Sequence, residues 1–101
     1  MEIRETKTFR KWFSELRDLQ AKHRIFARIE RLAIGNPGDA APVGGGISEM
    51  RIFYGTGYRV YFKDTGKKIV ILLCGGDKST QSRDIEKAKE LAKGFQDGKD
   101  I

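Results

Sequence analysis

The chain has 101 residues, 39% of them hydrophobic and 34% charged, with a formal net charge of +6. That length sets one domain over residues 1–101, with one modest core and no room for two. The composition fits a soluble globular domain, no apolar run approaches the roughly 20 residues of a bilayer span, and MEIRETKTFRKW has no apolar signal region, which together point to a cytoplasmic protein.

In chain order, MEIRETKT is a short strand anchored by Ile3. Phe9, Trp12, Phe13, Leu16 and Leu19 recur at i, i+3, i+4, i+7 and i+10, the apolar stripe of a helix. A break near Asp18–Ala21 precedes a second stripe, Ile25, Phe26, Ile29, Leu32 and Ala33, so the segment reads as a helical hairpin or one bent helix. Gly35-Asn36-Pro37-Gly38 ends it. DAAPVGGG reads as a loop, because three successive glycines weaken any strand, and regular pairing is expected only from Ile47. ISEMRIFY and YRVYFK then alternate with period two, with turns at Gly55-Thr56-Gly57 and Asp64-Thr65-Gly66. KIVILLC is apolar on both faces, which suits a central strand. Ser79 or Thr80 caps a last helix, lined by Ile85, Ala88, Leu91, Ala92 and Phe95. The order β-α-α-β-β-β-α predicts an α+β fold: an antiparallel sheet of about four strands with helices packed on one face.

The strand pleat carries the first functional signal. With Met50, Ile52, Val60 and Phe62 turned toward the helices, the opposite face holds Arg51, Arg59, Tyr61 and Lys63. Basic and aromatic side chains on an uncovered sheet face suit an anionic partner. The same pattern also describes a solvated surface whose long side chains cover apolar area. Other motifs carry less. Gly75-Gly76-Asp77-Lys78-Ser79 has the flavour of a phosphate-binding loop, but Asp77 stands where a glycine must precede the lysine and the spacer residues are missing. The two glycines instead suggest a sharp turn that displays Asp77 and Lys78 at the sheet rim. Cys74 is the only cysteine, so it forms no internal disulfide or zinc cluster and reads as a small buried hydrophobe. His23, the only histidine, sits among charged helical residues and reads as a surface or capping residue. No metal and no cofactor is expected.

The segments FRKWFSEL, RIERLAIGNPGD, PVGGGISEMRIFYGTGYRVYF and LLCGGDKSTQSRDIEKAKELA resemble, in the same order and over nearly the whole chain, the RelE/ParE superfamily of toxins from bacterial toxin–antitoxin modules. Within it the chain is most similar to the HigB-like branch of addiction-module killer proteins, related to phage Gp49-type proteins. The resemblance implies a small sheet with packed helices and a cytoplasmic toxin held inactive by a cognate antitoxin, in this branch one with a helix-turn-helix domain. RelE-like and HigB-like members cleave mRNA, usually in the ribosomal A site, whereas ParE-like members inhibit DNA gyrase with the same fold, so the site has to decide. The expected function is a ribosome-dependent, metal-independent mRNA endonuclease. A gyrase inhibitor acting by protein contact, and a non-catalytic member that binds only its antitoxin, remain as alternatives.

Metal-free RNA cleavage uses the ribose 2′-OH as nucleophile. It needs an acceptor for that proton, a donor for the leaving 5′-oxygen, and positive charge on the crowded phosphate, often the largest contribution. By resemblance Arg59 takes the position of an active-site arginine, whose fork matches two phosphate oxygens. Because it stays protonated it serves as a clamp rather than as an acid or base. Arg51, on the same face of the neighbouring strand, adds to the grip, and Lys63, nearer the hairpin tip, adds field. By resemblance Lys78 lies near a basic catalytic position, and a lysine beside Arg51 and Arg59 suits proton transfer. Asp77 orients those cations or caps the last helix, Gln81 can hydrogen-bond RNA, and Tyr61 can stack on a base for about 1–3 kcal/mol. Some ribonucleases of the superfamily carry a Tyr or His near the C-terminus, and this chain has neither after Cys74. The burden then falls on Lys78, or on charge and the ribosome holding the mRNA in line.

Overall fold

The computed structural model describes residues 1–96; Phe95, expected on the last helical stripe, has its side chain outside the described set, as does the end of the expected domain at 97–101. The elements are β1 (Glu2–Glu5), α1 (Lys7–Glu15), α2 (Leu19–Ala33), β2 (Ala40–Gly44), β3 (Ile47–Ile52), β4 (Tyr58–Asp64), β5 (Ile69–Gly76), a 3-10 turn (Lys78–Thr80) and α3 (Gln81–Gln96). The helical hairpin forms, but its break falls at 16–18, just ahead of the expected Asp18–Ala21, and Leu19, expected on the first stripe, opens α2 and is exposed. Thr6 caps α1, its hydroxyl accepting from Phe9 N at 3.0 Å while donating to Leu73 O at 2.6 Å, which pins the helix start to the sheet. Asp18 caps α2 by accepting from Gln20 N and Ala21 N, a role worth about 0.5–2 kcal/mol.

The α+β class holds, with three differences in detail. The sheet has five strands, in the order β1-β5-β4-β3-β2. It is mixed, since β1 runs parallel to β5 while the other neighbours are antiparallel. The fifth strand is β2, drawn from the segment expected to be loop: Ala40, Ala41 and Pro42 pair with Met50, Glu49 and Ser48 before the register slips at Gly44. An edge strand tolerates Pro42, because a residue without an N–H loses nothing on the solvent side. The glycines then form the hairpin, all three in the left-handed region, with φ from 65° to 98°.

The third difference concerns the layers. Phe9 of α1 and Ile25 and Leu32 of α2 pack with Met50, Ile52, Val60, Phe62, Val70 and Leu72, as the pleat requires. The other face is not left uncovered. Ile47, Tyr61, Ile71, Leu73 and Cys74 pack there against Ala88 and Ala92 of α3, with Ile85 and Leu91 alongside. Helices therefore lie on both faces of the sheet, with α1 and α2 on one and α3 on the other. The sheet needs this: β5 is apolar on both sides, and a helix on one face alone leaves Ile71 and Leu73 in water.

Gly75 and Gly76 are not turn glycines. They continue β5, paired with Val60 and Arg59, and neither has positive φ. Their small size is used instead. A Cβ at Gly75 overlaps the Trp12 ring from α1, and a Cβ at Gly76 overlaps the Asp84 carboxylate of α3. Elements on both faces thus close onto this stretch of strand.

Candidate functional site

Arg51 of β3, Arg59 of β4 and Gly76 of β5 form one row across the sheet, near the end where the β3–β4 turn and the Lys78 turn lie. Pleating turns both arginines to the α3 face, where they meet a residue the sequence reading passed over. Glu49, two positions before Arg51, is buried at 1% exposure. One of its oxygens accepts from Arg51 Nε and from Arg59 Nη1, each at 3.1 Å. The other accepts from the Tyr61 hydroxyl at 3.0 Å and from Gln81 Nε2 at 2.8 Å. Four of the expected site residues thus converge on one carboxylate. The signal for it was present, since Glu49 alternates with Arg51 on one strand and is cross-strand partner to Tyr61.

Burial alone pushes the Glu49 carboxyl upward. The hydrogen bonds from Gln81, Arg51 and Tyr61, together with the Arg59 charge, outweigh it and hold the group below its ordinary value. Tyr61 is driven the opposite way, first by burial and then by the neighbouring Glu49 charge, so its hydroxyl remains a donor. Arg51 also reaches Asp39 at 3.5 Å and is about one-third exposed. Arg59 is only 13% exposed at its side chain, and its buried Nε has no partner among the described residues.

The remaining expected residues divide. Tyr61 is fully buried, so its ring offers no face to a base, and the expected stacking role is corrected: it braces Glu49. Gln81 spends its amide on the same carboxylate. Asp77 caps the 3-10 turn, accepting from Ser79 N at 2.8 Å, and its carboxyl is held low chiefly by the Ser79 hydroxyl. Lys78 is exposed beside the β3–β4 turn, its Cβ 3.6 Å from where a Cβ on Gly57 stands. It therefore lies at the Arg51–Arg59 end of the sheet. Lys63 does not: it is four residues beyond Arg59 on the same strand, about 13 Å away by strand rise, and sits beside Gly46 of the β2–β3 hairpin. Cys74 is buried, and burial followed by the Asp84 charge pushes its thiol up to about 12, which keeps it a neutral packing group at ordinary pH.

The family of phage-derived Gp49-like proteins (DUF891) matches residues 11–93. The chain belongs to this family. Among curated proteins, an uncharacterized protein of Haemophilus influenzae strain Rd is 55% identical over 92 residues, covering 91% of this chain and 93% of that one. No solved structure matches the chain. The matched span contains Glu49, Arg51, Arg59, Tyr61, Lys78 and Gln81 of this chain. No helix among the described residues is long and apolar enough to cross a membrane.

Proposed function

We propose that this Gp49-like protein is the toxin of a type II toxin–antitoxin module, of the RelE/ParE, HigB-like kind, and that it cleaves mRNA on the ribosome without a metal. The observation that carries the reading is the meeting of Arg51 and Arg59 on one buried carboxylate, at the sheet end that also bears Lys78. Arg51 and Lys78 face solvent and meet the phosphodiester first. Arg59 stands behind them, aligned by Glu49, and adds its positive charge to the field on the phosphate. The 2′-hydroxyl gives its proton to solvent water as its oxygen attacks phosphorus, a 2′,3′-cyclic phosphate forms and the P–O5′ bond breaks, and the Lys78 ammonium delivers a proton to the departing 5′-oxygen. Glu49 acts as a positioning residue: four donors make it a weak base, and its charge fixes where the arginines point. A cognate antitoxin with a helix-turn-helix domain keeps the toxin silent.

The same ion pairs favour a second reading. Glu49 and Asp39 already neutralise Arg51 and Arg59, as suits a toxin that acts by protein contact on DNA gyrase. Induced expression separates the two. The nuclease reading expects mRNA ends that map to coding regions, and growth arrest that fades in Arg59→Ala and in Lys78→Ala. Arrest that survives both substitutions in folded protein, or DNA damage in place of new mRNA ends, overturns it.

A further inference from the structure

A cleft of about 840 Å³ opens between α1, the end of β5 and the start of α3. It lies beside the stretch of α3 that meets Glu49. Gln81 faces the carboxylate, whereas Thr80, Arg83, Asp84 and Lys87, spaced i, i+3, i+4 and i+7, line the cleft. The floor is the glycine end of β5, which runs four residues past its last pairing with β1. One wall carries two aromatic rings, Trp12 and Tyr58, with centroids 6.5 Å apart and planes at 62°. Both are half-buried, so each keeps surface toward the opening.

The charges are arranged unevenly. The cleft holds three cations and three carboxylates, so its formal charge is balanced. Two of the acids are committed: Asp84 is buried and accepts from the Thr80 hydroxyl, and Asp77 caps the 3-10 turn. Lys11, Arg83 and Lys87 are exposed and make no ion pair among the described residues. A flat aromatic ligand that carries its own phosphate suits this surface. A base laid on one ring meets the edge of the other, an arrangement the ring quadrupoles favour, while its phosphate reaches the free cations at the rim.

We infer that this cleft is a nucleotide subsite, taking one unstacked base of single-stranded RNA against Trp12 and Tyr58 and the adjoining phosphate on Lys11, Arg83 and Lys87. The inference rests on the nuclease reading for its choice of RNA, and it deepens that reading by giving the strand a second anchor. Asp77 and Thr56 border the cleft, next to Lys78, so a strand leaving the subsite passes the turn that bears the proposed proton donor. A base held here restricts which nucleotide neighbours the reacting phosphate.

Trp12 is the only tryptophan, so its fluorescence reports on this cleft alone. The probe is a tetranucleotide of 2′-O-methyl adenosine, which cannot be cleaved through the 2′-oxygen. The expected result is saturable one-to-one quenching. An abasic tetramer with the same phosphates binds about 5- to 150-fold more weakly, the range set by loss of one base stack. Arg83→Ala and Lys87→Ala, on an exposed helix face, each weaken binding and lower the salt slope by about one. Absence of quenching, equal binding of the abasic tetramer, or equal quenching by hexaglutamate overturns the subsite. The two readings fail separately. Quenching by the tetramer with no cleaved mRNA in cells keeps the subsite and removes the nuclease, whereas Arg59-dependent cleavage without quenching does the reverse.

Discussion

Gly75 and Gly76 set how closely the layers approach. Neither uses the left-handed conformations open to glycine, and both lie in regular strand. What distinguishes them is the missing side chain, which admits Trp12 from one face and Asp84 from the other. A methyl group at Gly75 must displace an indole that is itself packed on Phe9, with ring centroids 5.8 Å apart. Overpacking of this kind costs about 1–3 kcal/mol. Gly75→Ala is therefore expected to lower urea-unfolding stability by that amount in the native background and by clearly less when Trp12 is already alanine. A double-mutant cycle measures the difference, and equal costs in the two backgrounds contradict the contact. The sequence pointed to these glycines without giving their reason. A Gly-Gly pair before a polar segment looks the same whether it bends the chain or lets a ring rest on it.

At the scale of elements, α2 displays how far periodicity reaches. Ile25 and Phe26 are adjacent and apolar, and the sequence pattern puts both on its buried stripe. Ile25 is completely buried, whereas Phe26 is 54% exposed. A helix turns 100° per residue, so neighbours seldom share a narrow contact, and α2 buries Ala21, Ile25 and Leu32, the last two against the sheet. Ile25→Ala is expected to cost about 2–5 kcal/mol, and Phe26→Ala no more than about 0.5 kcal/mol, on chemical denaturation. The helices and the three meander strands were legible because each repeats a period over several residues. The strand β2 was not, because Pro42 and the glycines carry the composition of a loop, and only pairing with the already ordered β3 makes it a strand. The position of α3 was hidden for a similar reason. Its apolar stripe is visible in the sequence, but the choice of sheet face depends on β5 being apolar on both.

For the molecule as a whole, Glu49 is where the layers are joined electrostatically. It stands on β3, takes one arginine from its own strand, another and a tyrosine from β4, and an amide from α3. The sequence placed Arg51, Arg59 and Tyr61 on one face, and the structure agrees; it could not reveal that their common partner is an acid, since a period of two says which face a residue shares and nothing about what it touches. Removing that acid leaves buried donors without an acceptor, so Glu49→Ala is expected to cost about 3–5 kcal/mol. The pH dependence has a definite sign. The carboxyl of Glu49 is held below its ordinary value of 4.5 in the folded protein, so on acidification the unfolded chain takes up the proton first. The stabilisation is complete above that ordinary value and is lost as the pH falls through the lower folded value. Asp77, also held low, contributes with the same sign from a more exposed position. Urea unfolding of the native protein is expected to weaken steeply in this acid range, and Glu49→Gln, which keeps the shape and removes the titrating group, is expected to flatten that slope while Asp77→Asn changes it little. An equally steep decline in Glu49→Gln places the acid sensitivity elsewhere and leaves the cluster without its role in holding the sheet to α3.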